Sequence, residues 1–264
     1  MEEAIRSVAG GDAKFIAGGH SLIPAMKLKL SRPSRLVDIT GIDSLKGISE
    51  DKGEIVIGAA TTHNSISKNE LIRKALPFFS EGASMIGDLQ VRNHGTIGGS
   101  IAHADPAADW PALLLAADAR IVVQNVNGQR EIKVSDFFVG LFETSLLPDE
   151  IIVAIRIPVP PKGTKTAYRK FFQPASRFAM VGCAVLRQAN GKTNVAFTGV
   201  ADHAFRDKEA EECISGKAIN DKSIADTLKV AIQQVNIMSD HYASQEYRKH
   251  LAKVFLGRTL QAVS

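Results

Sequence analysis

The hydrophobic positions of this chain change period several times. In EEAIRSVA, Ala4, Ile5, Val8 and Ala9 recur at helical spacing, and KFIA reads as a short strand. SLIPAMKLKL places Leu22, Met26 and Leu30 on one helical face until Pro33 stops it, and RLVDI reads as a second strand. These segments predict a small β-α-β unit. GEIVIGAATT predicts a further strand, and NELIRKALPFFSEGASMIG a helix with Leu71, Ile72, Ala75 and Leu76 on one face, broken at Pro77. DWPALLLAADA is mostly helical. In ARIVVQNVNGQREIKV, Asn127-Gly128 joins two alternating runs as a hairpin.

The strand EIIVAIRIPVPP leads into a proline-rich link ending near Gly163, the expected domain boundary. Beyond it, KTAYRKFFQ and the hairpin AMVGCAVLRQANGKTNVAFTGVA, turned at Asn190-Gly191, predict an antiparallel sheet. Helices are expected after it, at about 221–239 and about 244–262. The fold class expected is α+β, with a first domain over 1–160, in lobes of about 1–40 and about 41–160, and a C-terminal α+β domain over 164–264.

At 264 residues, with 45% hydrophobic and 23% charged residues, the chain has ample core for an ordinary globular protein. No run approaches the roughly eighteen apolar residues of a membrane span, and MEEAIRSVAG has neither a basic n-region nor an apolar h-region. A cytoplasmic protein is the expectation. The net charge of +4 comes from lysines and arginines scattered among 28 acids, without basic blocks interleaved with aromatics, which argues against nucleic acid as a partner. Cys183 and Cys213 stand in isolation, so a zinc finger, an all-cysteine iron–sulfur cluster and a disulfide framework are excluded. Any redox chemistry then needs an organic cofactor or a partner.

Two stretches carry candidate chemistry. In FIAGGHSLIP, Gly18-Gly19 sit between a strand and a helix, where backbone N–H groups can approach an anion. Taken alone, the stretch is also explained as a tight strand-to-helix turn. In VRNHGTIGGSIAHADPAADWPALL, Gly95, Gly98 and Gly99 stand beside Thr96 and Ser100, and two such loops can grip one diphosphate. Neither loop is G-x-G-x-x-G, and no G-x-x-x-x-G-K-[ST] is present. His103, Asp105 and Asp109 are hard-metal ligand types, but Pro106 interrupts the helix that would align them, which favours a structured loop. Phe137-Phe138 and Phe171-Phe172 read as core or interface aromatics. Arg92 fits either a phosphate contact or a solvated surface.

AGGHSLIPAMKLKL, LVDIT, IGAATTH, GDLQVRNHGTIGGSIAHADPAADWPALLLAADA, DEIIVAIRIP and ASRFAMVGCAV together resemble the medium, FAD-binding chain of molybdenum-containing hydroxylases of the carbon monoxide dehydrogenase, aldehyde oxidoreductase and xanthine dehydrogenase type. The resemblance implies a two-lobed FAD-binding domain of the vanillyl-alcohol-oxidase (PCMH) type followed by the family's own C-terminal domain. It also implies a molybdopterin-containing large subunit, a [2Fe-2S] small subunit, and assembly as a dimer of heterotrimers. Electrons would pass from the iron–sulfur clusters through FAD to an external acceptor, with no catalytic residue or metal ligand in this chain. Two other classes are open: a self-contained FAD-dependent oxidase or reductase built on the same fold with its own substrate pocket, and a non-catalytic assembly subunit that has lost its cofactor, against which the intact glycine motifs argue.

By the same resemblance, the first diphosphate loop falls on Ala17, Gly18, Gly19, His20 and Ser21, with Leu22 following, and the second on Thr96, Ile97, Gly98, Gly99 and Ser100. Asp109 matches an acid that contacts the cofactor, Ile86 a position beside the flavin, Ile152 or its neighbour Val153 an apolar contact, and Lys170 a lysine near the flavin ring. Family members often carry glutamine where His20 stands, so a backbone contact is expected there. They usually have a further strand ahead of the first helix. Its absence suggests that Met1 is not the natural start, or that the first sheet's edge is covered by other means. The cysteine-rich insertion of one subgroup is missing. No NAD fingerprint names the acceptor, and substrate choice would lie in the molybdenum chain.

Overall fold

The computed structural model describes residues 1–9 and 11–264. The N-terminal lobe is a β-α-β unit preceded by a helix: α1 (Glu2–Val8), β1 (Ala13–Ile16), α2 (Leu22–Lys27) and β2 (Arg35–Asp38), with β1 and β2 paired in parallel. It packs through Ala4, Ile5 and Ile39 against Leu45, Ala60 and Ile151 of the next lobe. α2 is shorter than its apolar spacing predicts. It ends at Lys27, Lys29 takes a positive φ of 61°, and Leu28 and Leu30 are exposed rather than forming a helical face.

The second lobe begins with β3 (Ile48–Asp51) and β4 (Glu54–Gly58), followed by six helices: α3 (His63–Lys68), α4 (Glu70–Ala75), α5 (Pro77–Met85), α6 (Leu89–His94), α7 (Ile97–His103) and α8 (Asp109–Ala116). Pro77 opens α5 as its first residue, where a missing N–H costs nothing. Then come β5 (Arg120–Asn125), β6 (Gly128–Lys133), the short pair β7 (Phe138–Gly140) and β8 (Glu143–Thr144), and β9 (Ile151–Pro158). The antiparallel five-stranded sheet has the order β3-β4-β9-β5-β6, so β9 inserts between strands formed much earlier in the chain. Phe137 and Phe138 are buried in this lobe's core.

After the proline-rich link, β10 (Lys165–Phe172), β11 (Ala179–Arg187), β12 (Thr193–Thr198) and β13 (Phe205–Arg206) form an antiparallel sheet in that order, followed by α9 (Lys208–Ile214), α10 (Asp221–Val230) and α11 (Gln245–Ala262). The helix expected over 221–239 stops at Val230. Ile232 turns to a φ of 62° and gives its N–H to Asp207 Oδ2 at 2.8 Å, a tertiary bond that outweighs the local helical pattern.

This sheet is covered on both faces. Cys183, Val185, Val195 and Phe197 pack in one core with residues of α9, α10 and α11, whereas Tyr168, Ala184, Leu186 and Ala196 join the core of the second lobe, where every residue of α8 is buried. The loop before α8 is pinned to the sheet's end: Ala179 N–H donates to Ala107 O, Gly199 N–H to Pro106 O, and Thr198 Oγ1 reaches both Pro106 O and Ala108 O at 2.7 Å. Asp105 accepts the Ala107 N–H within this loop, and Asp109 faces Lys170, so the acids of HADPAAD serve turn and ion pair. No helix is long and apolar enough to cross a membrane among the described residues.

Candidate functional site

The two glycine loops meet at backbone distance. A Cβ on Gly18 would lie 2.2 Å from His94 O and 2.8 Å from Gly95 Cα, so only glycine lets the first loop touch the second. Gly19 adopts a φ of +69°, the left-handed turn that leads from β1 into α2. The second loop is locked to IGAATTH from the other side. His63 N–H donates to Gly95 O and Ile97 N–H to Thr61 O, and a Cβ on Gly98 would come within 2.6 Å of Ala59 Cβ.

The loops differ in what they offer a ligand. Among the described residues, the N–H groups of Gly18, Gly19, His20, Ser21 and Leu22 have no acceptor in the protein. In the second loop, Ile97 N–H goes to Thr61 O, Gly98 N–H to Ala59 O, Gly99 N–H to Thr96 Oγ1 and Ser100 N–H to Thr96 O. The amide donors expected of this loop are therefore spent within the protein. What it presents is a rigid floor with the Thr96 hydroxyl, whose proton is still free to donate. A cleft of about 390 Å³ opens at the junction, lined by Ala17, Gly18, Thr61, Thr62, His94 and Thr96 among others.

His20 folds back on its own loop: Nδ1 donates to Gly18 O at 2.7 Å, and the ring stacks on His94 at 5.6 Å between centroids. Sequence reasoning passed over His63, although it ends the quoted IGAATTH. His63 is buried, and its Nδ1 accepts from Trp110 Nε1 at 3.0 Å. Burial, aided by the nearby charges of His20 and Arg92, holds its pKa down to about 3, so the ring is neutral with its proton on Nε2. Arg92, read either way from sequence, clasps Ile86 O and Gly87 O through one guanidinium nitrogen and fixes the bend that carries Ile86.

Asp109 and Lys170 are brought together with each other. Asp109 Oδ1 accepts from Tyr168 Oη at 2.5 Å and lies 2.9 Å from Lys170 Nζ. The ammonium also donates to Met85 O and Arg177 O, which uses all three of its protons. Burial raises the Asp109 carboxyl above its usual range against the pull of Lys170, and drives the Tyr168 phenol well up. The carboxylate and ammonium expected as cofactor contacts are thus engaged inside the protein, and they tie Met85, next to Ile86, to the turn at Arg177. Ile152 points into the main core, while Val153, the unpaired residue of an irregularity between β9 and β5, joins the cluster containing Ala17.

A row of unpaired amide donors in a loop that meets a second glycine loop at backbone distance suits a diphosphate. Residues 1–160 match the FAD binding domain in molybdopterin dehydrogenase, and residues 166–263 match the CO dehydrogenase flavoprotein C-terminal domain. The chain belongs to this FAD-binding family of molybdopterin dehydrogenases. It is 37% identical to the carbon monoxide dehydrogenase medium chain of Hydrogenophaga pseudoflava over 98% of its length and 92% of that protein's. It is 35% identical to the glyceraldehyde dehydrogenase medium chain of Sulfolobus acidocaldarius over 100% and 95%. A solved structure of the Hydrogenophaga pseudoflava carbon monoxide dehydrogenase, lacking the Mo-pyranopterin moiety of its cofactor, superposes with a TM-score of 0.95 at 38% identity, covering 99% of this chain and 93% of that one. The chain is a medium, FAD-binding subunit of the carbon monoxide dehydrogenase and xanthine dehydrogenase kind.

Two outcomes follow from this geometry. Gly18→Ala forces the loops apart, and FAD affinity measured by quenching of flavin fluorescence is expected to fall tenfold or more, at about 1.5–3 kcal/mol for each charge-assisted bond lost; an unchanged affinity would place the cofactor elsewhere. His63 binds a proton more weakly folded, with a pKa of about 3, than unfolded, near 6.5. Its contribution to stability is complete above about 6.5 and is lost as pH falls towards 3. In urea unfolding of the FAD-free chain, His63→Gln should remove up to about 1 kcal/mol per pH unit from that slope. Parallel slopes would mean that the buried ring is already protonated.

Proposed function

We propose that this chain is the electron-relay subunit of a cytoplasmic dimer of heterotrimers, between a [2Fe-2S] small subunit and an external acceptor, with a molybdopterin-containing large subunit oxidising the substrate. In this reading, the FAD domain spans residues 1–160, in lobes of about 1–40 and about 41–160, and the C-terminal domain spans 164–264. The observation that carries it is the pairing of the two glycine loops, with the amides from Gly18 to Leu22 left free for a diphosphate. FAD, when bound, supplies a carrier able to exchange electrons singly or in pairs.

The chain's own residues bind and orient the cofactor. The first loop's amides take the negative charge, Thr96 adds a hydroxyl, and the buried Asp109–Lys170 pair holds the segments of Ile86 and Arg177 in one position. Val153 and Ile86 supply apolar contacts, with Ile152 packed behind them in the core.

The self-contained oxidase or reductase needs an acid, base or tyrosine free to exchange protons with substrate. Tyr168 is fully buried and donates its hydroxyl proton in a hydrogen bond to Asp109, and all three protons of Lys170 are engaged. Both features favour the relay. In anaerobic mixing with carbon monoxide, an aldehyde or an N-heterocycle, the FAD-loaded single chain is expected to keep its flavin colour, and to lose it once the other two subunits are added. Bleaching by the single chain would establish the self-contained enzyme instead.

A further inference from the structure

The junction of the two loops contains a polar group that neither loop provides. His63 begins α3, and its ring lies beneath the second loop: a Cβ on Gly95 would be 2.8 Å from His63 Nε2, and Gly18 packs on the same Gly95 Cα from the first loop. Trp110 Nε1–H occupies Nδ1, which forces the proton of the neutral ring onto Nε2. That N–H has no acceptor among the described residues, although the residue is 4% exposed. Nε2 itself is not shut off from solvent, so this donor is open to water or to a ligand at the junction.

We propose that His63 is a diphosphate-binding residue, donating Nε2–H to a phosphate oxygen of FAD while Trp110 fixes its tautomer. This rests on the assignment of the glycine-loop cleft to the cofactor diphosphate. Because the ring stays neutral, the contribution is a dipolar hydrogen bond, unlike that of a cationic side chain, and it does not vary with pH across the physiological range.

Two amide variants separate binding from support. Asn offers an oxygen near the position of Nδ1, able to accept from Trp110, but cannot reach Gly95. Gln places its NH₂ near the position of Nε2 and gives up the Trp110 bond. With the full chain freed of FAD, His63→Gln is expected to bind FAD within about threefold of wild type, and His63→Asn about tenfold or more weaker. The gap should be the same at about pH 6 and about pH 8. The thermal midpoints of the apo chains should show the reverse order, Asn above Gln. An Asn variant at wild-type affinity, equal losses in both, or a gap that changes with pH would overturn the role of His63 while leaving the loops as the FAD site. FAD affinity insensitive to Gly18→Ala would overturn both.

Discussion

Contact between Gly18 and the backbone of His94 and Gly95 is the constraint on which the site depends. It joins a loop of the small parallel unit to a loop of the antiparallel lobe with no side chain between them. Once the two backbones touch, their roles separate. The second loop uses its amides to hold itself against Ala59 and Thr61, and the first loop, braced on that floor, keeps its amides free. A flexible pair of loops would have to be ordered by the ligand, at a cost in affinity. Here the folded chain has already met that cost.

A second constraint lies across the domain junction. Asp109, Tyr168 and Lys170 form a buried cluster whose charges are expensive to remove from water, and such pairs are weak evidence for stability. Their value here is positional. One ammonium gathers Met85 O, Arg177 O and the Asp109 carboxylate, so helices α5 and α8 and the turn after β10 keep one mutual arrangement. Together with the pinning of Pro106, Ala107 and Ala108 to the C-terminal sheet, this ties that sheet to the lobe that carries the second glycine loop.

Much of this was legible in the sequence, because it rests on local signals. The strand–glycine–helix order of the first loop, the hairpins expected at Asn127-Gly128 (turned one residue earlier, on Val126-Asn127) and Asn190-Gly191, and the break at Pro77 are all written in neighbouring residues. What was not legible depends on distant partners. Which loop keeps its amides depends on Ala59 O and Thr61 O, and the choice between Ile152 and Val153 on an irregularity in strand pairing that no periodicity announces. The early end of α10 follows from Asp207 capturing an amide, and the roles of His63 and Trp110 from a contact between residues 47 positions apart. His63 carried one signal, its place at the end of a quoted motif.

The central claim is that the two glycine loops divide their labour, the first supplying donors and the second a pre-bonded floor. Amide hydrogen exchange read residue by residue, with and without FAD, tests it directly. The account predicts that Ile97 to Ser100 are already protected in the FAD-free chain, and that FAD adds protection chiefly at Gly18 to Leu22. Fast exchange at Ile97 to Ser100 that slows only when FAD is added, with Gly18 to Leu22 unchanged, would contradict it.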